Sequence, residues 1–268
     1  MLFIHFGCKV NQYETNGMIQ KFEEAGYNIE DFDKKADIYI VNTCTVTNMS
    51  DRKSRQILRK AKELNSNSVV IAVGCYVQVA KKEIEKIPEI DFALGNKEKK
   101  DIVKYVEDFC KAKEEIELAD VMKSAEYNEF GTVTYTEKTR AVIKVQDGCD
   151  RFCSYCIIPY ARGRVRSRKP ENVIEEIKNI AKENIKEVVI TGIHIASYGK
   201  DFEKEYRLID LLEEINEITG IERIRLRIYR TTFNNWWVFI KTAKIRKNMS
   251  SISFITSKRM YRNFKKNE

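Results

Sequence analysis

Three apolar runs in the first eighty residues each lead straight into a cysteine: LFIHFGC (2–8), DIYIVNTC (37–44) and SVVIAVGC (68–75). Runs of this length, rich in β-branched and aromatic side chains, predict buried strands. Helical patterns separate them. Met18, Ile19, Phe22 and Ala25 recur at helical spacing and stop at Gly26; a polar helix is expected over about 50–64 and another over about 78–86. A strand at IDFALG and a closing helix to about Cys110 complete this part. Strands that alternate with helices imply a parallel sheet with helical crossovers. In such a sheet the carboxyl ends of neighbouring strands share one edge, so Cys8, Cys44 and Cys75 can meet there although far apart in sequence. A lone strand-end cysteine is ordinarily a small buried residue. Three at equivalent positions, two of them preceded by Gly, point instead to ligation.

A second alternating pattern begins near Thr139. The strand RAVIKVQDGC (140–149) is followed by a helix over 171–183, the strand EVVITGI (187–193), a helix over 208–219 and the strand ERIRLR. Two strand-helix units and a third strand are the opening of an α/β barrel that needs further units to close. The chain therefore divides into an amino-terminal α/β domain (1–110), a charged then Tyr- and Thr-rich linker or hairpin (111–137), a partial barrel (138–226) and a tail (227–268). The fold class is α/β: a parallel-sheet domain followed by an incomplete barrel.

Directly after the strand at 140–149 stands GCDRFCSYCIIPYARGR, which places Cys149, Cys153 and Cys156 in a CxxxCxxC pattern. Three thiolates on one loop can hold three irons of a 4Fe-4S cube and leave the fourth iron open to a chelating cosubstrate. A zinc site would want a fourth ligand, and His194 is distant in sequence. The seventh cysteine, Cys110, falls late on an amphipathic helix and is expected to be a packed structural thiol. Past the loop, Arg162, Arg164, Arg166 and Arg168 alternate. In an extended segment they would share one side, suited to phosphate or RNA; a solvated basic segment is the alternative.

Composition narrows the setting. With 43% hydrophobic and 33% charged residues, no run of eighteen apolar residues and no export signal at the start, the chain is expected to be cytosolic with no membrane partner. Seven cysteines in that setting argue for metal ligation rather than disulfides. The net charge of +8 is a poor guide to partners, because residues 227–268 hold eleven Lys and Arg against Glu268, leaving the rest of the chain slightly acidic.

The cysteine loop, with the aromatic Tyr155 before its third cysteine, resembles the radical S-adenosylmethionine superfamily. Together with GCKVNQYET and NTCTVTNMSDRKSRQ it resembles the methylthiotransferase family, from about residue 4 to residue 226. The wording is closest to the branch that acts on N-threonylcarbamoyladenosine beside the tRNA anticodon. The isopentenyladenosine branch tends to read GCQMN early in the chain and the ribosomal-protein branch GCPKN. The resemblance implies two 4Fe-4S clusters, an auxiliary one on Cys8, Cys44 and Cys75 and a radical one on Cys149, Cys153 and Cys156. It also implies S-adenosylmethionine as cosubstrate, with Gly192 and Tyr155 beside it, tRNA as substrate, and a reducing electron donor. The sulfur source is left unassigned. No acid or base is implied, because the chemistry abstracts a hydrogen atom; His194 is expected to be a packing residue.

After residue 226 the family pattern stops. Read one base onward, the codons for 227–232 admit Gly-Ser-Ile-Glu-Pro, and those for 252–261 admit Phe-His-Leu-Ser-Leu-Gln-Ser-Gly-Cys, two family motifs in order. A frameshift near codon 226 would explain both this and a tail without Gly, Pro or Asp. The competing reading of the chain is then an inactive remnant of the same enzyme.

Overall fold

The computed structural model describes residues 1–30, 34–112, 118–124, 126–133, 139–229 and 252–254. The chain forms two compact units: Met1–Thr134 with Gly148–Arg164, and Tyr135–Asp147 with Val165–Glu268. The loop that carries Cys149, Cys153 and Cys156 thus belongs to the first unit.

The sheet of the first unit is parallel, with strands in sequence order: β1 (Leu2–His5), β2 (Ile38–Thr43), β3 (Val69–Gly74) and β4 (Phe92–Leu94). Helices α1 (Lys9–Glu24), α2 (Asn48–Leu64) and α5 (Ile102–Ala112) lie where the periodicity predicts them. Thr47 caps α2 by accepting the Ser50 N–H at 3.2 Å. On one sheet face Tyr39, Val41, Val70 and Ala72 pack against Leu58 and Ala61 of α2. Val41, Val70 and Leu58, fully buried there, each contribute about 1.5–3 kcal/mol.

The helix expected over 78–86 starts earlier and is broken. It begins at Cys75 as α3 (Cys75–Val79), is interrupted at Ala80 (φ −122°, ψ 38°) and resumes as α4 (Lys81–Ile84). Gly74, at φ +102°, turns the chain from strand into helix without a loop. The stretch read as a linker is, in its described parts, packed into this unit. Val121, Phe130 and Val133 are buried. Gln78 donates to the Ala119 carbonyl at 3.1 Å, and Ala119 N–H donates to Glu98 at 2.9 Å. A Cβ on Gly17 would stand 2.7 Å from the Phe130 ring, so helix α1 admits that ring only because residue 17 has no side chain.

The second unit holds a sheet in the order β6-β5-β7-β8-β9. Here β5 is Arg140–Asp147, β6 Arg166–Ser167, β7 Glu187–Gly192, β8 Arg223–Tyr229 and β9 Ile252–Phe254. All neighbours are parallel except β5 and β6. Helices α7 (Pro170–Lys182) and α8 (Leu208–Asn216) supply the crossovers, as the sequence predicts. The short β6 was not foreseen. It is held by Asp201, whose carboxylate accepts the Ser167 N–H at 2.7 Å and hydroxyl at 2.6 Å. Most of the tail at 227–268 lies outside the described residues; within it, β8 extends to Tyr229 and β9 aligns Ile252 beside Leu226. Among the described residues no helix is long and apolar enough to cross a membrane.

Candidate iron-sulfur centres

Cys8, Cys44 and Cys75 stand at the carboxyl ends of β1, β2 and β3, which are adjacent in the sheet. Two glycines make this convergence possible. A Cβ on Gly7 (φ +92°) would lie 2.5 Å from Cys44 Sγ, and one on Gly74 would lie 2.7 Å from Asn42 Oδ1 and 2.9 Å from the Thr43 carbonyl. Cys44 and Cys75 are buried and Cys8 is partly exposed. Burial pushes the Cys44 thiol up, and the nearby sulfurs of Cys75 and Cys8 add to the rise. No group of three or more His, Cys, Asp or Glu side chains among the described residues is spaced to hold a single metal ion.

Beneath these cysteines lies a buried polar network. Asn11 on α1 donates to the carbonyls of Phe6 and Thr43, both at 2.9 Å, and so joins the turns that present Cys8 and Cys44. Asn42 donates to the Asn11 carbonyl at 3.2 Å and to Thr15 Oγ1 at 2.8 Å. Glu14, one helical turn past Asn11, accepts from Arg162 Nη1 at 2.8 Å, from Arg162 Nη2 at 3.1 Å and from Lys99 Nζ at 2.7 Å. Arg162 Nη2 also donates to Asn11 Oδ1 at 2.6 Å. Glu14, Lys99 and Arg162 are each at most 2% exposed.

Arg162 ends α6 (Ile158–Arg162), the short helix that closes the second cysteine loop. The loop is pinched at its base: Cys149 N–H donates to the Gly163 carbonyl at 3.0 Å, and a Cβ on Gly148 (φ +70°) would run into the Arg164 carbonyl. Between these ends Cys156 N–H donates to the Cys153 carbonyl at 2.9 Å. All three cysteines are partly exposed, and burial raises the Cys149 thiol above its ordinary range. The large hydrophobic side chains exposed among the described residues all stand on the cysteine loops or on the helices that follow them: Val46 and Met49 after Cys44, and Phe152, Tyr155, Ile157 and Tyr160 around and after Cys153 and Cys156.

The four alternating arginines do not share a face. Arg162 is in the buried network; Arg164 alone is exposed, 3.8 Å from Asp150 and with its guanidinium over the Phe152 ring. Arg166 is buried beside Asp147, and Arg168 is buried and paired with Glu176. The extended geometry assumed from sequence fails because the run starts in a helix, turns at Gly163 and only then enters β6. Three of the four serve internal ion pairs rather than a phosphate-binding surface. Cys110 is another correction: it is exposed on α5, not packed.

Gly192 ends β7, opposite Gln146 of β5. A Cβ there would sit 2.9 Å from both the Gln146 carbonyl and Ile195 Cγ2, so close strand packing by itself demands glycine. Tyr155 is the most exposed of the loop aromatics, at 80%. His194 is buried, its N–H donating to Gln146 Oε1 at 2.7 Å and its Nδ1 2.7 Å from Ser197 Oγ, as a packing residue would be. Sequence reasoning missed Asn11, Glu14, Asn96 and Lys99. A signal existed for the first two: with Met18 and Phe22 they occupy one helical stripe, where polar residues are out of place unless paired.

Residues 1–95 match the model of an uncharacterized protein family, UPF0004, and residues 143–266 match the radical SAM superfamily. The threonylcarbamoyladenosine tRNA methylthiotransferases of Bacillus subtilis and Aquifex aeolicus are each 42% identical to this chain, over 84% of its length. A ribosomal protein uS12 methylthiotransferase of Clostridium novyi is 38% identical over 83% of the chain. The chain spans about half the length of these relatives: 50%, 54% and 50% respectively. A solved radical S-adenosylmethionine methyltransferase of Kitasatospora setae superposes with a TM-score of 0.61 at 14% identity, covering 90% of this chain and 57% of that one.

Proposed function

Because this chain belongs to the methylthiotransferase family of radical S-adenosylmethionine proteins, we propose that it is a tRNA methylthiotransferase, adding a methylthio group to C2 of N-threonylcarbamoyladenosine next to the anticodon. The observation that carries the reading is the pair of three-cysteine sets built into one unit, one at the ends of three neighbouring strands and one on a loop pinched at its base. Identity favours this branch over the ribosomal-protein branch, 42% against 38%, and so does the wording GCKVN around Cys8.

In this reading Cys149, Cys153 and Cys156 would hold a 4Fe-4S cluster with S-adenosylmethionine as its cosubstrate, and Cys8, Cys44 and Cys75 would hold the auxiliary cluster. When bound and reduced by an external electron donor, these groups provide the radical chemistry that replaces the adenine C2 hydrogen by methylthio. The protein's part is to place the ligands. Gly7 and Gly74 let Cys8, Cys44 and Cys75 approach one another; Asn11 ties the first two turns together; the Gly148–Gly163 pinch fixes the second loop. Tyr155 offers a ring, 80% exposed on that loop, for the adenosyl group, and Gly192 ends β7 where the family places its contact with S-adenosylmethionine. Of the four arginines only Arg164 keeps an exposed side chain from which to reach RNA.

Anaerobic reconstitution tests the metal assignment. Iron and sulfide of about eight each per chain are expected for two cubes, falling by half when Cys8, Cys44 and Cys75 are changed to Ala. A wild-type value of about four that is indifferent to those changes removes the auxiliary site. We also propose that residues 227–268 are out of frame: the shifted-codon motifs support this and the radical SAM match, which runs to residue 266, counts against it, and an out-of-frame tail makes the inactive remnant the second reading. Resequencing from codon 220 onward decides between them: an added or missing base restores the enzyme, and a confirmed frame leaves the remnant.

A further inference from the structure

Asn96 follows β4 and is 5% exposed. Its backbone groups and its carboxamide nitrogen are all engaged. Its N–H donates to Gln78 Oε1 at 3.1 Å, and its carbonyl accepts from Asn128 Nδ2 at 2.8 Å. Its side-chain Nδ2 lies 2.8 Å from the Ala161 carbonyl and 3.5 Å from Cys75 Sγ, with Oδ1 farther from that sulfur at 4.0 Å. A carbonyl can only accept, so the Ala161 contact settles which end of the carboxamide is the nitrogen. The second N–H of that nitrogen is then left for the sulfur.

We propose that Asn96 is a positioning residue that sets the reduction potential of an iron-sulfur cluster held by Cys75, an inference that rests on the metal assignment above. An N–H directed at a ligating sulfur stabilises the reduced, more negative state, and hydrogen bonds to the sulfurs are among the main determinants of cluster potential. Burial of both Asn96 and Cys75 strengthens the effect. The Ala161 carbonyl lies on α6, five residues past Cys156, so the segment closing the second cysteine loop orients the amide that faces the first cysteine set.

The test uses the full chain with Cys149, Cys153 and Cys156 changed to Ala, so that one cluster remains, titrated potentiometrically with dithionite and read by electron paramagnetic resonance. Asn96→Asp and Asn96→Leu both remove the donor while keeping the size of the side chain. Each is expected to hold the same iron as its parent, yet at the potential that half-reduces the parent cluster well under half of the variant cluster should be reduced. Asn128→Ala, which leaves the carboxamide in place, should titrate like the parent. Unchanged midpoints in both Asn96 variants would overturn the proposal. So would loss of iron from both with unaltered circular dichroism, since Asn96 would then serve assembly and not potential. A parent that binds no cluster fails one step earlier and takes the metal assignment down with it, which separates the two failures.

Discussion

Replacing Glu14 by Gln keeps the shape of the side chain but removes the carboxylate that Arg162 and Lys99 share. The contacts are close, 2.8 Å to Arg162 Nη1 and 2.7 Å to Lys99 Nζ. At an effective dielectric constant near 20, unit charges about 4 Å apart attract by about 4 kcal/mol. With the carboxylate gone, two desolvated cations face each other across a neutral amide. Removing one partner of a buried pair costs about 3–5 kcal/mol, and the expected loss lies at the upper end because two cations are orphaned. Arg162→Met is expected to cost less, about 1.5–3 kcal/mol, because Glu14 keeps Lys99 and only the charge-assisted hydrogen bonds are lost. The double variant E14Q/R162M should be less destabilised than the two single changes predict separately. Hydrogen exchange read on peptides from α1 and β2 during urea unfolding is the suitable assay, since a whole-chain probe would blend two units. The reasoning is refuted if Arg162→Met costs as much as Glu14→Gln, or if Glu14→Gln costs under about 1 kcal/mol.

Gly7→Ala and Gly74→Ala should each lose more than about 1 kcal/mol through the forced positive φ, and reconstituted iron should fall, because the added methyl displaces Cys44 or the turn before Cys75; unchanged iron in both would contradict the role given to these glycines. Gly192→Ala should cost about 1–3 kcal/mol by pushing β7 off Gln146, seen as faster exchange in β5 and β7, and would fail as a prediction if those amides were unaffected. Glu187 is subject to burial, which raises its pKa, but Arg225 and Arg223 outweigh that and hold it below the usual carboxylate range. A lowered folded pKa adds stability above the unfolded value near 4.3 and loses it as pH falls through the folded value. Glu187→Gln should therefore lower the midpoint of thermal unfolding at pH 7, by an effect of about 1 kcal/mol or less, and match wild type near pH 2; an equal deficit at both pH values would argue against the ion pairs.

What could be read from sequence was whatever repeats with a period. The strands at 37–44 and 68–75 declare themselves by apolar runs, and α1 by the helical spacing of Met18, Ile19, Phe22 and Ala25. The cysteine sets were legible because strand ends in a parallel sheet are neighbours whatever their sequence separation. Long-range charge pairing has no such signature: Glu14 and Arg162 are 148 residues apart, and nothing local to RGRVRSR distinguishes an arginine destined for a buried carboxylate from one facing solvent. The early start of α3 at Cys75 and the strand β6 were likewise invisible, the first because helix propensity does not report a turn fixed by Gly74, the second because two residues carry no pattern.

The six exposed hydrophobic side chains on and next to the cysteine loops bear on how the protein behaves in a tube. Adhesive surface and oxidisable sulfur occupy the same short stretches of chain, so crowding and air should damage the protein together: molecules that touch there bring partly exposed thiols into range of one another. Concentration and oxygen are then one hazard rather than two, and dilution should protect the protein more in air than it does under anaerobic conditions.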